Sequence, residues 1–92
     1  MEIKHAAVAG TMESSDILIS VKPGEGGLSI ALDSVVKRQF GRQIEASIRE
    51  VCASLGVQSA SIYANDRGAL DCVVRARVEA ALLRAGSEEG KP

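Results

Sequence analysis

The segment AGTMESSD, residues 9 to 16, sets two adjacent serines, Ser14 and Ser15, between Glu13 and Asp16. Hydroxyls and carboxylates this close together can do three things. They can bond their own backbone and shape a turn. They can serve as nucleophile and base, which requires a histidine within reach of the serine and a third group to orient it. Or an exposed hydroxyl on a polar loop can accept a covalent group from another enzyme. His5 is the only histidine in the chain, and nothing else marks a group that would orient it. A carboxylate pair for acid and base work would have to be Glu13 and Asp16, on one polar loop with nothing evident to drive their pKa values apart. An autonomous enzyme is therefore not expected. A small body displaying a serine is.

Composition bounds what that body can be. At 92 residues, with 46% hydrophobic and 25% charged residues, the chain is one small folded domain with a modest core. Tyr63 and Phe40 are the only aromatic residues, too few for a base-stacking platform, and a net charge of −1 supplies no field for a phosphate backbone. Nucleic acid is not an expected partner. Cys52 and Cys72 are the only cysteines and form no CxxC pair, so neither a disulfide framework nor a zinc site is expected, and both read as small packing residues. No apolar run has signal-peptide or membrane-spanning length. The expected location is the cytoplasm.

The elements that must position the serines follow from periodicity. In ILISVK, Ile17, Ile19 and Val21 alternate with Leu18, Ser20 and Lys22, and LSIAL repeats the pattern through Leu28, Ile30 and Leu32. Both read as strands, and the PGEGG between them predicts a β-hairpin. Those glycines do not form a phosphate loop, which would open a helix and carry a Lys-Ser/Thr pair. From Asp33 the period changes: Val36, Phe40, Ile44, Ile48, Val51 and Leu55 share one helical face, with Asp33 or Ser34 as cap and Gly56 as stop. A third strand runs through VQSASIYAND. A second helix follows, capped by Asn65 or Asp66, buried through Leu70, Val73, Val74, Val78 and Ala81, and ended at Gly86. The predicted order is β-β-α-β-α, with a further N-terminal strand available in EIKHAAVAG: an α+β two-layer sandwich over residues 1–86, followed by a disordered tail, 87–92.

The helices carry the remaining candidates. Arg38, Arg42 and Arg49 lie opposite the apolar face of the first helix, where they are either a solvated face, with Glu45 supporting Arg49, or a docking surface for an acidic partner. Asp71, Arg75 and Glu79 form an i, i+4 ladder on the second. Arg77 falls among apolar positions and must snorkel or meet a negative group, a phosphate among the candidates.

Three blocks taken together, AAVAGTMESSD, KRQFG at 37 to 41 and GALDCVVRARVEAAL at 68 to 82, resemble the acyl carrier protein of bacterial citrate lyase, the γ subunit of that complex. The resemblance covers nearly the whole chain. It implies a noncatalytic carrier whose Ser14 bears 2′-(5″-phosphoribosyl)-3′-dephospho-coenzyme A through a phosphodiester, with Ser15 a neighbour and not the anchor. It also implies the partners: an α subunit that exchanges acetyl for citrate on the carrier, a β subunit that cleaves the citryl thioester to oxaloacetate, and a transferase that attaches the arm. Malonate decarboxylase has a carrier with the same type of group and is the alternative within the carrier class. A noncatalytic interaction subunit docking through Arg38, Arg42 and Arg49 is the alternative outside it. Asp33-Ser34 superficially resembles the Asp-Ser-Leu site of phosphopantetheine carriers, but those are acidic helical bundles, and Ser34 is read here as a helix cap.

Overall fold

The computed structural model describes residues 1–88. Its elements are β1 (Ala7–Gly10), β2 (Ile17–Lys22), β3 (Leu28–Ser34), α1 (Lys37–Ser54), β4 (Ala60–Asp66) and α2 (Asp71–Gly86). The fold is α+β, and the N-terminal strand is present. The four strands form one sheet in the order β1-β2-β4-β3, with α2 packed on β1 and β2 and α1 packed on β3. Ile17, Ile19 and Val21 from β2 and Ile62 from β4 meet Ile48 of α1 and Val78 and Leu82 of α2, all almost wholly removed from water.

The predicted hairpin between β2 and β3 does not form. Instead β4 lies between them, antiparallel to β2 (Ile17↔Asp66 to Lys22↔Ser61) and parallel to β3 (Leu28↔Ala60 to Ser34↔Asp66). Alternation in a strand defines which face is buried and leaves the neighbour open. The PGEGG segment is long enough to step across one strand, since two strand spacings are only about 10 Å. Gly24 makes that crossing feasible: a Cβ there would lie 2.8 Å from the carbonyl carbon of Ala60. Gly27 completes it, accepting from Ala60 N–H at 3.2 Å while its own N–H donates to Ser59 Oγ at 3.2 Å. β3, α1 and β4 thus form a βαβ unit, the connection that parallel neighbours require. The chain's hairpin is β1–β2, registered from Ala7↔Val21 to Gly10↔Leu18.

Both helix starts shift. β3 continues through Ser34, and α1 begins beyond it with Val36 at the N-cap and no side-chain cap. Ser34 shapes that corner differently, accepting Val36 N–H at 3.0 Å and donating to Asp66 Oδ2 at 2.7 Å. β4 likewise runs through Asp66, which is 1% exposed and accepts Ala69 N–H at 3.0 Å in the turn leading to α2. Because the helices start beyond the sheet's end, their first apolar residues are not covered: Phe40 is 51% and Leu70 is 70% exposed, where burial was predicted.

The two helices are tied by polar contacts. Buried Ser47 donates to Asp71, and Arg75 reaches Asp71 at 2.8 Å and Glu50 at 2.6 Å. The Asp71–Arg75 step of the predicted ladder is present, and Arg75 turns to Glu50 on α1 for its second carboxylate. The Ser47 hydroxyl and Arg75 hold the Asp71 carboxyl below its ordinary pKa. Cys52 is buried, and that burial pushes its thiol pKa up, whereas Cys72 is exposed and does not pack as predicted. No helix among the described residues is long and apolar enough to cross a membrane. Of the predicted disordered tail, residues 89–92 lie outside the described residues; Ser87 accepts a hydrogen bond from His5 Nε2 at its carbonyl, and Glu88 pairs with Lys4.

Candidate functional site: the serine turn

Residues 11–16 connect β1 to β2, so the serines sit at the tip of the hairpin. The loop is entered through Gly10, at φ +100°, where a Cβ would lie 1.8 Å from the Ile17 carbonyl oxygen. Only glycine fits so close a crossing of the two strand ends. Thr11 follows, accepting Glu13 N–H at 3.2 Å and donating to Asp16 Oδ2 at 2.7 Å. Asp16 N–H donates to the Glu13 carbonyl at 3.2 Å and closes a four-residue turn with Ser14 and Ser15 at its centre.

Asp16 is the anchor of this turn. Beyond Thr11, its carboxylate accepts Ile17 N–H at 2.7 Å, Arg77 Nε at 3.0 Å and Arg77 Nη2 at 2.8 Å. The Arg77 hydrogen bonds, then that of Thr11, lower its pKa from 3.8 to about 2. A carboxylate held so firmly in its charged form is a poor general base near neutrality. The expectation that Glu13 and Asp16 share an unperturbed loop environment is therefore corrected for Asp16, and what perturbs it serves structure. The Arg77 fork is engaged by a side chain of the protein itself.

A second clamp is made by backbone. Ser15 N–H donates to the Arg67 carbonyl at 2.9 Å, and Arg67 N–H donates to the Asp16 carbonyl at 2.9 Å. Ser15, with φ +65°, is the only described non-glycine residue in the left-handed region. Ser14 and Ser15 are both exposed, and among the described residues neither hydroxyl has a partner; they differ in the backbone, where Ser15 is bonded to Arg67 and Ser14 makes no hydrogen bond. The turn is held at Thr11, Ser15 and Asp16 and offers Ser14 outward.

The other candidates lie elsewhere. His5 bonds to the Ala6 and Ser87 carbonyls, five residues before the end of β1, so strand rise alone puts it roughly 15 Å from the loop. No serine–histidine pair is assembled. Arg38, Arg42 and Arg49 share an exposed face of α1, where Arg49 pairs with Glu45 at 3.0 Å. Sequence reasoning missed Thr11 and Asp16 as the loop's fasteners and Arg67 as its backbone partner. A Thr five residues ahead of an Asp, directly after a glycine, was the available signal.

A family model described as "ACP: Malonate decarboxylase delta subunit (MdcD)" matches residues 4–85. Curated relatives named citrate lyase acyl carrier protein include one from Klebsiella pneumoniae, 49% identical over 96% of this chain and 92% of its own. Another, from Haemophilus influenzae, is 52% identical over the same shares of both chains. Among solved structures, a chain of a Pseudomonas malonate decarboxylase hetero-tetramer in complex with malonate superposes with a TM-score of 0.79 at 25% identity, covering 94% of this chain and 89% of its own. Likeness of this extent, spanning the serine hairpin, the βαβ unit and both helices, makes the chain a member of the citrate lyase acyl carrier protein family.

Proposed function

We propose that the chain is the noncatalytic acyl carrier subunit of a citrate lyase complex, and that Ser14 is where its prosthetic group is attached. The observation that carries this reading is an exposed turn held from beneath: Ser14 is exposed and makes no hydrogen bond among the described residues, while Thr11 and Asp16 are fastened through their side chains and Ser15 through its backbone N–H. A phosphodiester at Ser14 would displace no hydrogen bond of the fold, so the residues present fit phosphoribosyl-dephospho-coenzyme A as the covalent group. When attached, that group supplies the thiol on which acetyl and citryl are held as thioesters. Ser14 presents the arm, Asp16 and Arg77 fix its base, and the domain keeps the thioester near successive partner active sites by tethering.

The partners in this reading are the α subunit that exchanges acetyl for citrate, the β subunit that cleaves the citryl thioester, and the transferase that loads Ser14, all in the cytoplasm. Names borne by relatives at about 50% identity support citrate over the malonate decarboxylase alternative. Arg38 and Arg42, exposed and without ion-pair partners among the described residues, favour a docking role for that face of α1 within the complex. Arg77 as a direct contact of the arm's phosphate is less well supported, because Asp16 already engages two of its nitrogens. The deciding experiment is intact mass with peptide mapping on protein from its native host, alongside Ser14→Ala. A mass increment fitting the arm, mapped to Ser14 and lost in the variant, is expected. An unmodified chain in cells fermenting citrate would overturn the reading.

A further inference from the structure

The corner where both helices begin carries an open groove of about 280 Å³ beside the serine turn. Phe40 and Ile44 of α1 form one wall and Leu70 and Val74 the other, with Gln43 and Asp71 as polar groups at its lining. The exposure of Phe40 and Leu70, 51% and 70%, leaves two large apolar side chains facing water on opposite walls of the groove. The groove and the serine turn are joined through one segment of chain. Arg67 holds Ser15 and Asp16 through its backbone, and the next residues, Gly68 to Leu70, line the groove. Three residues of chain span at most about 11 Å, so the groove's wall at Leu70 lies no farther than that from Arg67, the residue bonded to the serine turn.

We propose that this groove is the resting seat of the acyl-bearing end of the arm on Ser14, which rests on the carrier reading above. Its chemistry selects which part of the arm enters. No cationic side chain lines it, and its one charged lining group, Asp71, is already paired with Arg75, so it offers a phosphate no counter-charge. An uncharged chain of methylenes and amides suits the apolar walls, with the Gln43 amide able both to donate and to accept. The volume admits only part of a ligand of coenzyme A size. The same chemistry discriminates between cargoes. An acetyl thioester is small and uncharged and seats; a citryl thioester carries carboxylates into a site without a cation and is turned out to solvent, towards the partner subunits.

Amide chemical shifts of the isolated carrier test this in unmodified, free-thiol, acetylated and citryl-loaded forms, with intact mass recorded on each sample. Acetylation is expected to shift Phe40, Gln43, Ile44 and Val74, and citryl loading to return them towards their unmodified positions. In Leu70→Glu, a change at an exposed position, the groove shifts should vanish while those of residues 11–16 persist. Groove amides that stay unmoved in wild-type acetyl-carrier, with the mass increment present, would overturn the seat and leave the carrier reading intact. Movement only when the α subunit is added would assign the groove to that partner instead. A missing increment at Ser14 would overturn both.

Discussion

Asp16 and Arg77, 61 residues apart in sequence, meet through Nε at 3.0 Å and Nη2 at 2.8 Å, one nitrogen to each carboxylate oxygen. This pair couples the hairpin tip to the second turn of α2. Asp16 keeps only 13% of its side chain exposed, while Arg77 keeps 40%, so solvent screens the pair from one side. Arg77→Gln should cost about 1–2 kcal/mol, at the lower end for hydrogen bonds to a charged group. Urea unfolding measures the cost. The same variant should be loaded at Ser14 more slowly, because the turn loses its anchor while the hydroxyl remains; unchanged loading would mean that Thr11 and Arg67 suffice to hold it.

The pH dependence follows from Asp16 in sign as well as place. Its folded pKa of about 2 lies below the ordinary value of 3.8, so the unfolded chain binds more protons between them. The pair's stabilisation is therefore complete above roughly pH 4 and is lost as pH falls through 2. Asp71, also lowered, adds in the same direction. Unfolding free energies measured from pH 6 to pH 2 should fall less steeply for Asp16→Asn than for wild type. Parallel curves would place the acid-sensitive group elsewhere.

Ser15 occupies backbone space that glycine enters without penalty. Ser15→Gly should stabilise the fold by about 0.5–1 kcal/mol, the strain relieved less the entropy returned to the unfolded chain. Loading at Ser14 should persist. A destabilised variant would show that the Ser15 side chain contributes more than its conformation suggests.

Gly10 admits no side chain at all. Gly10→Ala adds a methyl 1.8 Å from the Ile17 carbonyl oxygen at a φ of +100°, and the strand ends must part to accept it. A loss of about 3 kcal/mol or more is expected from strain and broken pairing together. Calorimetry reads it as a lower midpoint. Gly26→Ala is the control: it also has positive φ but meets nothing within 4 Å, and it should cost markedly less.

What was legible in the sequence was local. Ile17, Ile19 and Val21 announced their buried face through period two, the two helices announced most of theirs through spacings of three and four, and TMESSD announced an exposed polar loop. Neighbour relations were not legible in the same way. Nothing in PGEGG distinguishes a turn that reverses from one that steps over β4, because the deciding contact, Gly24 against Ala60, joins distant segments. Arg77 showed in the sequence only a cation needing a negative group. That the group is Asp16 depends on α2 packing over β2, which periodicity does not encode.

The fastening of the serine turn by Arg67 and Arg77 also has a consequence for timing. Residues 11–16 emerge early from the ribosome, yet the groups that shape them emerge after most of the chain has been made. A nascent or truncated chain has the serine without its presented form. A transferase that recognises the shape of the turn would therefore load finished domains and pass over incomplete ones, so the prosthetic group would be spent only on carriers already able to swing it.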